Sequence, residues 1–138
     1  MKVLRILLAE DNRGDVFLVQ ESLKEHHIAH QLDVVRDGQE ALDYVERMGG
    51  PDEAPYPDLI LLDLNLPKVD GSAVLSELRQ HPESARVPVI VVTSSDSAKD
   101  KERMARLGIS YYFRKPTEYE EYMQLGSIVK QVLEHQSA

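Results

Sequence analysis

Four short apolar runs along the chain each stop at residues with chemistry to offer. Leu4–Ala9 runs into Glu10 and Asp11, Leu59–Leu62 into Asp63, Val89–Val92 into Thr93 and Ser94, and Tyr111–Phe113 leads to Lys115 and Pro116. The first three are continuous rather than alternating, the pattern of strands buried on both faces of a parallel sheet. Between the runs lie segments of helical period. Arg13–His27 carries Val16, Phe17, Val19 and Leu23 at roughly helical spacing. Gln31–Val35 reads as a weaker strand, and Asp37-Gly38 as a turn before a helix over Gln39–Met48. Residues 49–57 hold two glycines and three prolines, a loop by composition. The pattern continues with a strand over Leu59–Asp63, a turn from Pro67 to Gly71 and a helix over Ser72–Gln80. It ends with a strand over Pro88–Thr93, a helix over Ala98–Leu107 stopped by Gly108, a strand over Ser110–Phe113 and a helix over Glu118–Glu134. This alternation predicts an α/β doubly wound (βα)5 fold, a five-stranded parallel sheet with right-handed crossovers. No shift of composition divides it, so residues 1–138 are expected to form a single domain with no output domain.

Composition narrows the classes of function. At 42% hydrophobic and 29% charged, the chain fits a soluble globular protein. Its net charge of −8 and lack of a basic cluster argue for no nucleic-acid partner. Without cysteine there is no disulfide, thiolate metal site or cysteine nucleophile. The opening MKVLRILLAED is too short for a signal peptide, and nothing approaches the ~20 apolar residues of a membrane span. A cytoplasmic location without membrane contact is the expectation.

The strand ends supply the chemistry. Open α/β sheets bind ligands at the carboxyl edge of their strands. There the sequence gathers Glu10, Asp11 and Asp63, with Thr93 and Lys115. An aspartate can accept a phosphoryl group as an acyl phosphate, and that reaction is catalysed mainly by positioning and charge neutralisation. Three acids at one edge repel one another without a cation, and Mg²⁺ is held through a few carboxylates. Thr93 offers a hydroxyl and Lys115 a compact positive charge to phosphoryl oxygens. The backbone carbonyl of Asn65 is a further metal ligand candidate. The Lys115–Pro116 bond permits either isomer. Taken singly these features are ordinary: acids favour helix starts, Thr-Ser suits a turn, and Lys-Pro suits a solvated loop. Together, on four strands of one sheet, they point to a site.

AED at 9–11, LLDLNLP at 61–67, Gly71, VTS at 92–94, Tyr112 and KP at 115–116 resemble the receiver domain of two-component response regulators, a CheY-like family of flavodoxin-like fold with strand order 2-1-3-4-5. More narrowly, EDNRGDVFLVQESL and the enlarged GGPDEAPYPDLILLDLNLPKVDG segment resemble single-domain regulators of phytochrome-type histidine kinases. The resemblance implies Asp63 as phosphoacceptor from a histidine kinase. It implies Mg²⁺ (or Mn²⁺) on Asp11, Asp63 and the Asn65 carbonyl, with Glu10 acting partly through water. Thr93 and Lys115 would contact the phosphoryl group, and Thr93 and Tyr112 would form a switch acting on the helix 4–strand 5–helix 5 surface. The readout would be a downstream protein, a histidine phosphotransfer protein or a homodimer. Phe113 and Arg114 make the strand-five edge bulkier and more basic than usual, and LGSIVKQVLEHQ replaces an aromatic last helix.

Two other functions use similar parts. A Mg²⁺-dependent phosphohydrolase of haloacid dehalogenase type needs a second acid two residues after its nucleophile, where this chain has Asn65. A flavodoxin-like FMN module needs a glycine- and hydroxyl-rich phosphate loop, where this chain has Glu10-Asp11-Asn12. The expectation is therefore a stoichiometric phosphoacceptor rather than an enzyme. The five histidines lack ligand spacing and are expected to face solvent. Glu118, Glu120 and Glu121, with Tyr119 and Tyr122, are expected to open the last helix, where acids suit the dipole.

Overall fold

Every apolar run predicted to be a strand is one. The computed structural model describes residues 2–50 and 56–137, so residues 51–55 of the predicted 49–57 loop lie outside the described residues. The strands β1 (Leu4–Ala9), β2 (His30–Val35), β3 (Leu59–Leu62), β4 (Val89–Thr93) and β5 (Tyr111–Arg114) form one parallel sheet in the order β2-β1-β3-β4-β5. The helices are α1 (Arg13–Glu25), α2 (Gly38–Arg47), α3 (Gly71–Gln80), α4 (Ala98–Arg106), α5 (Tyr119–Tyr122) and α6 (Gln124–Ser137). A 3₁₀ turn over Ser84–Arg86, which the sequence pattern does not signal, precedes β4. Among the described residues no helix is long and apolar enough to cross a membrane.

The continuous apolar runs are explained by burial on both faces of the sheet. Alternate residues Leu7, Ala9, Ile60, Leu62, Val89 and Val91 pack against α2 and α3 through Ala41, Val45, Val74, Leu75 and Leu78. Their neighbours Ile6, Leu8, Leu59, Leu61, Ile90 and Val92 face α1 and α6 through Val19, Leu23, Leu125 and Val129. Helix starts are fixed by short polar side chains: Asn12, Asp37, Asp70 and Ser97 each accept a backbone N–H from the first turn.

Helix ends are less readable. Gly108 ends α4 at φ 76, with its N–H on Ala105 and that of Ile109 on Met104, a Schellman arrangement in which glycine avoids a Cβ penalty. The same pair of bonds ends α1 at Glu25 rather than at His27, yet the left-handed position is His27 itself, at φ 55. With no glycine there, the sequence gives no stop signal.

The predicted last helix is two. It breaks at Met123, because α1 takes over its backbone bonds. Ser22 Oγ donates to the Met123 carbonyl at 2.8 Å, and His26 Nε2 donates to the same oxygen at 2.8 Å. The Gly126 N–H in turn goes to Ser22 Oγ at 2.8 Å. This needs close approach: a Cβ at 126 would collide with the His26 ring and lie 2.7 Å from the Ser22 carbonyl oxygen. His26 is therefore half-buried and bonded, as is His30, whose ring meets the Ile28 carbonyl at 2.8 Å. The expectation of solvent-facing histidines fails for both.

Arg79, near the end of α3, clasps the far side of the molecule. Its guanidinium donates to the carbonyls of Leu107 at 2.9 Å, Ala85 at 2.9 Å, Val87 at 3.3 Å and Gly108 at 3.0 Å. One side chain thus joins the end of α4 to the turn that feeds β4.

Candidate functional site

Register brings the predicted residues together. Ala9 pairs with Leu62, and the Asp63 N–H donates to the Ala9 carbonyl at 3.1 Å, so Glu10, Asp11 and Asp63 emerge side by side. Thr93 pairs with Arg114, and the Lys115 N–H donates to the Thr93 carbonyl at 2.8 Å. All five strand-end residues therefore stand at one edge of the sheet, as the alternation predicts.

The centre is an ammonium among carboxylates. Lys115 Nζ lies 2.7 Å from Glu10 Oε1, 2.9 Å from Asp63 Oδ2 and 3.0 Å from Asp15 Oδ2. The other Asp63 oxygen accepts the Asn65 N–H at 3.0 Å, and the Asn65 side-chain amide lies 3.4 Å from Thr93 Oγ1. Thr93 Oγ1 also accepts the Ser95 N–H at 3.3 Å, while the Tyr112 hydroxyl donates to the Ser95 carbonyl at 3.0 Å. The Lys115–Pro116 bond is trans.

Two partners were not legible in the sequence. Asp15 sits in the first turn of α1, where an acid reads as a complement to the helix dipole. Its side chain instead holds Lys115 with one oxygen and accepts the Tyr122 hydroxyl with the other, at 3.1 Å. Tyr122, grouped in the sequence with acids that open the last helix, is 2% exposed. The spacing of Tyr122, Leu125, Val129 and Val132 is that of an apolar helical stripe and could have placed it inside.

Charge at the site is strained in one direction. Burial pushes the Glu10 carboxyl up from 4.5 to about 7, with Asp63 adding to the shift and Lys115 opposing it. Burial alone would lower the Lys115 ammonium, but its hydrogen bonds to Glu10, Asp63 and Asp15 hold it above the usual lysine range. Glu10 Oε1 is buried and paired with the Lys115 ammonium at 2.7 Å. Carboxylate oxygens of Glu10, Asp11 and Asp63 all lie within 4.8 Å of one another. An all-oxygen cluster of this size, with Glu10 and Asp63 buried, fits a hard divalent cation.

The raised Glu10 value carries a sign. A carboxyl raised above its unfolded value favours the fold most below about 4.5, and that contribution is lost as pH rises through about 7. A cation bound by the ionised form opposes this loss. Divalent-metal binding is therefore expected to release protons and to tighten between about pH 6 and about pH 8. Calorimetry in two buffers of different ionisation enthalpy reads the proton count, and a count of zero near neutral pH would contradict this role for Glu10.

Known proteins share this fold. Residues 6–125 match the response regulator receiver domain family. Response regulator Rcp1 of Synechocystis sp. (strain ATCC 27184 / PCC 6803 / Kazusa) is 44% identical over 110 residues, 80% of this chain and 75% of its own length. The crystal structure of the phosphorylated cyanobacterial phytochrome response regulator RcpA superposes with a TM-score of 0.87 at 35% identity, covering 99% of this chain and 98% of its own. The Mn²⁺-bound form of response regulator Rcp1 gives a TM-score of 0.84 at 39% identity, covering 95% of each chain. A sheet order, a strand-end acid cluster and a family match over most of the length agree: this chain belongs to the response regulator receiver domain family, the signalling domain of two-component systems.

Proposed function

We propose that Asp63 accepts a phosphoryl group from the phosphohistidine of a histidine kinase. The oxygen facing Lys115 forms the new P–O bond as the P–N bond breaks, and the departing imidazole takes up a proton. The observation that carries this reading is the arrangement of Asp63, a buried carboxylate with an N–H on one oxygen and an ammonium on the other. Such fixed donors stabilise charge spread over phosphoryl oxygens without reorganising. Glu10, Asp11, Asp63 and the Asn65 carbonyl would hold Mg²⁺, and Mn²⁺ can take its place. The ion supplies charge neutralisation between the acceptor and the incoming phosphoryl group. Asn65 has no acidic proton to offer a leaving group, which speaks for a stoichiometric acceptor over a phosphohydrolase.

Thr93 and Tyr112 form the switch in this reading. Both bond to Ser95, one to its N–H and one to its carbonyl, so a pull on the Thr93 hydroxyl is felt by the Tyr112 ring. The surface that responds comprises α4, β5 and the last helices, where Tyr111 and Tyr119 are exposed. Its reader is a downstream protein, a histidine phosphotransfer protein or a second copy of the chain. The likeness to RcpA, a phytochrome response regulator, supports a phytochrome-type kinase as donor.

Incubation with acetyl phosphate and Mg²⁺ is expected to shift the whole population on a phosphate-affinity gel. The product should be sensitive to hydroxylamine, as acyl phosphates are. Chelation or Asp63→Asn is expected to abolish the shift. A shift that survives in the variant, or none with either acetyl phosphate or a phytochrome-type kinase, overturns the reading.

A further inference from the structure

We propose that Asp15 is a positioning residue that keeps the Lys115 ammonium at the phosphoryl site when a divalent ion is bound, and that Tyr122 fixes the orientation of Asp15. The proposal deepens the phosphoacceptor reading of Asp63 and rests on it. Lys115 touches three carboxylates, and two of them, Glu10 and Asp63, belong to the cluster that fits a cation. An ion there draws those two carboxylates to itself and repels the ammonium beside them, since charges a few ångströms apart in a partly buried site interact strongly. Asp15 stands outside that cluster, so its hold on Lys115 is the one the ion does not compete for.

The geometry is built for that hold. Asp15 reaches from the first turn of α1 to Lys115 just beyond β5, 100 residues away in the chain. Its other oxygen accepts the Tyr122 hydroxyl at 3.1 Å, which pins the plane of the carboxylate. The Tyr122 ring is itself pinned, packing edge-on against Phe113 with centroids 5.8 Å apart. Phe113 lies two residues before Lys115, so one strand end supplies both the ammonium and the support for the tyrosine that steadies its anchor. Complementing the α1 dipole accounts for an acid in the first turn, but not for these two partners.

The ammonium can be read directly. In the ¹⁵N-labelled full chain at saturating Mg²⁺, the Lys115 ammonium should give a resolved, slowly exchanging proton signal. Asp15→Asn is expected to lose that signal and to slow labelling by acetyl phosphate about tenfold at saturating Mg²⁺, as small misplacements of a reacting group do. Tyr122→Phe, which removes only the hydroxyl, is expected to broaden the signal and slow labelling by about threefold. Asp15→Glu keeps the charge and is expected to restore the signal. A sharp Lys115 signal in Asp15→Asn at saturating Mg²⁺ overturns the proposal, as does a signal already absent in the wild type. If Asp15→Asn does not fold, an unchanged spectrum in Tyr122→Phe overturns the role given to the clamp. Failure of the wild type to be labelled counts against the phosphoacceptor reading alone, because the ammonium signal is observed without phosphorylation.

Discussion

Replacing Lys115 with methionine is expected to destabilise the metal-free protein by about 3 kcal/mol near neutral pH, because it leaves three carboxylates around a lost cation. For a domain of this size that corresponds to a fall in Tm of roughly 10 °C. The Lys115 side chain is 11% exposed and that of Glu10 1%, so water cannot replace the ammonium at the deepest of the three acids. In the wild type the contribution of Lys115 is intact at neutral pH: its ammonium is raised above 10.5, and what it adds is lost only above that value. In the variant the acids relieve their repulsion by taking up protons. Without Lys115 to oppose it, Glu10 rises beyond the value of about 7 it has beside the ammonium. The deficit should therefore shrink toward about pH 5 and widen toward about pH 8. Mg²⁺ should restore more stability to the variant than to the wild type, since it returns positive charge to the same oxygens. Thermal melts at both pH values, with and without Mg²⁺, test this; a deficit independent of pH would sink the account.

Arg79→Met should have an effect of similar size far from the site. The guanidinium satisfies carbonyls of Leu107, Ala85, Val87 and Gly108 at once, and hydrogen bonds from a charged donor are among the stronger ones. Their joint loss is expected to cost about 3 kcal/mol, read as a lower urea midpoint with an unchanged slope. Arg79→Lys should recover little of it, because an ammonium is a single point and cannot reach carbonyls on both sides of a fork. A loss below about 0.5 kcal/mol would show that solvent replaces the clasp. The strand-end acid cluster should keep its affinity for a divalent cation in this variant, since none of the four carbonyls belongs to it.

The sheet and the main site were legible because each depends on short-range pattern. Strands buried on both faces write themselves as continuous apolar runs, and parallel strands must end at one edge, which brought Glu10, Asp11, Asp63, Thr93 and Lys115 together on paper. What escaped depends on partners far along the chain. Nothing near residue 123 announces that Ser22 and His26 interrupt the last helix there. Asp15 satisfied a local rule for helix starts, which hid its longer reach to Lys115 and Tyr122. Nothing in the helix pattern around Arg79 marks the four distant carbonyls it reaches. His27 shows the converse, a left-handed stop without the residue that usually marks one.

The bond from the Gly126 amide to Ser22 Oγ also decides how this proton exchanges with solvent. A first-turn amide ordinarily has no partner within its own helix and exchanges freely, but here it is released only when α1 withdraws. Two helices joined through residues 104 positions apart thus share one opening event. The amide of Gly126 should exchange at the rate of that shared unit rather than of its own turn. A ligand that grips the outer face of α1 would then slow exchange in the last helix without touching it.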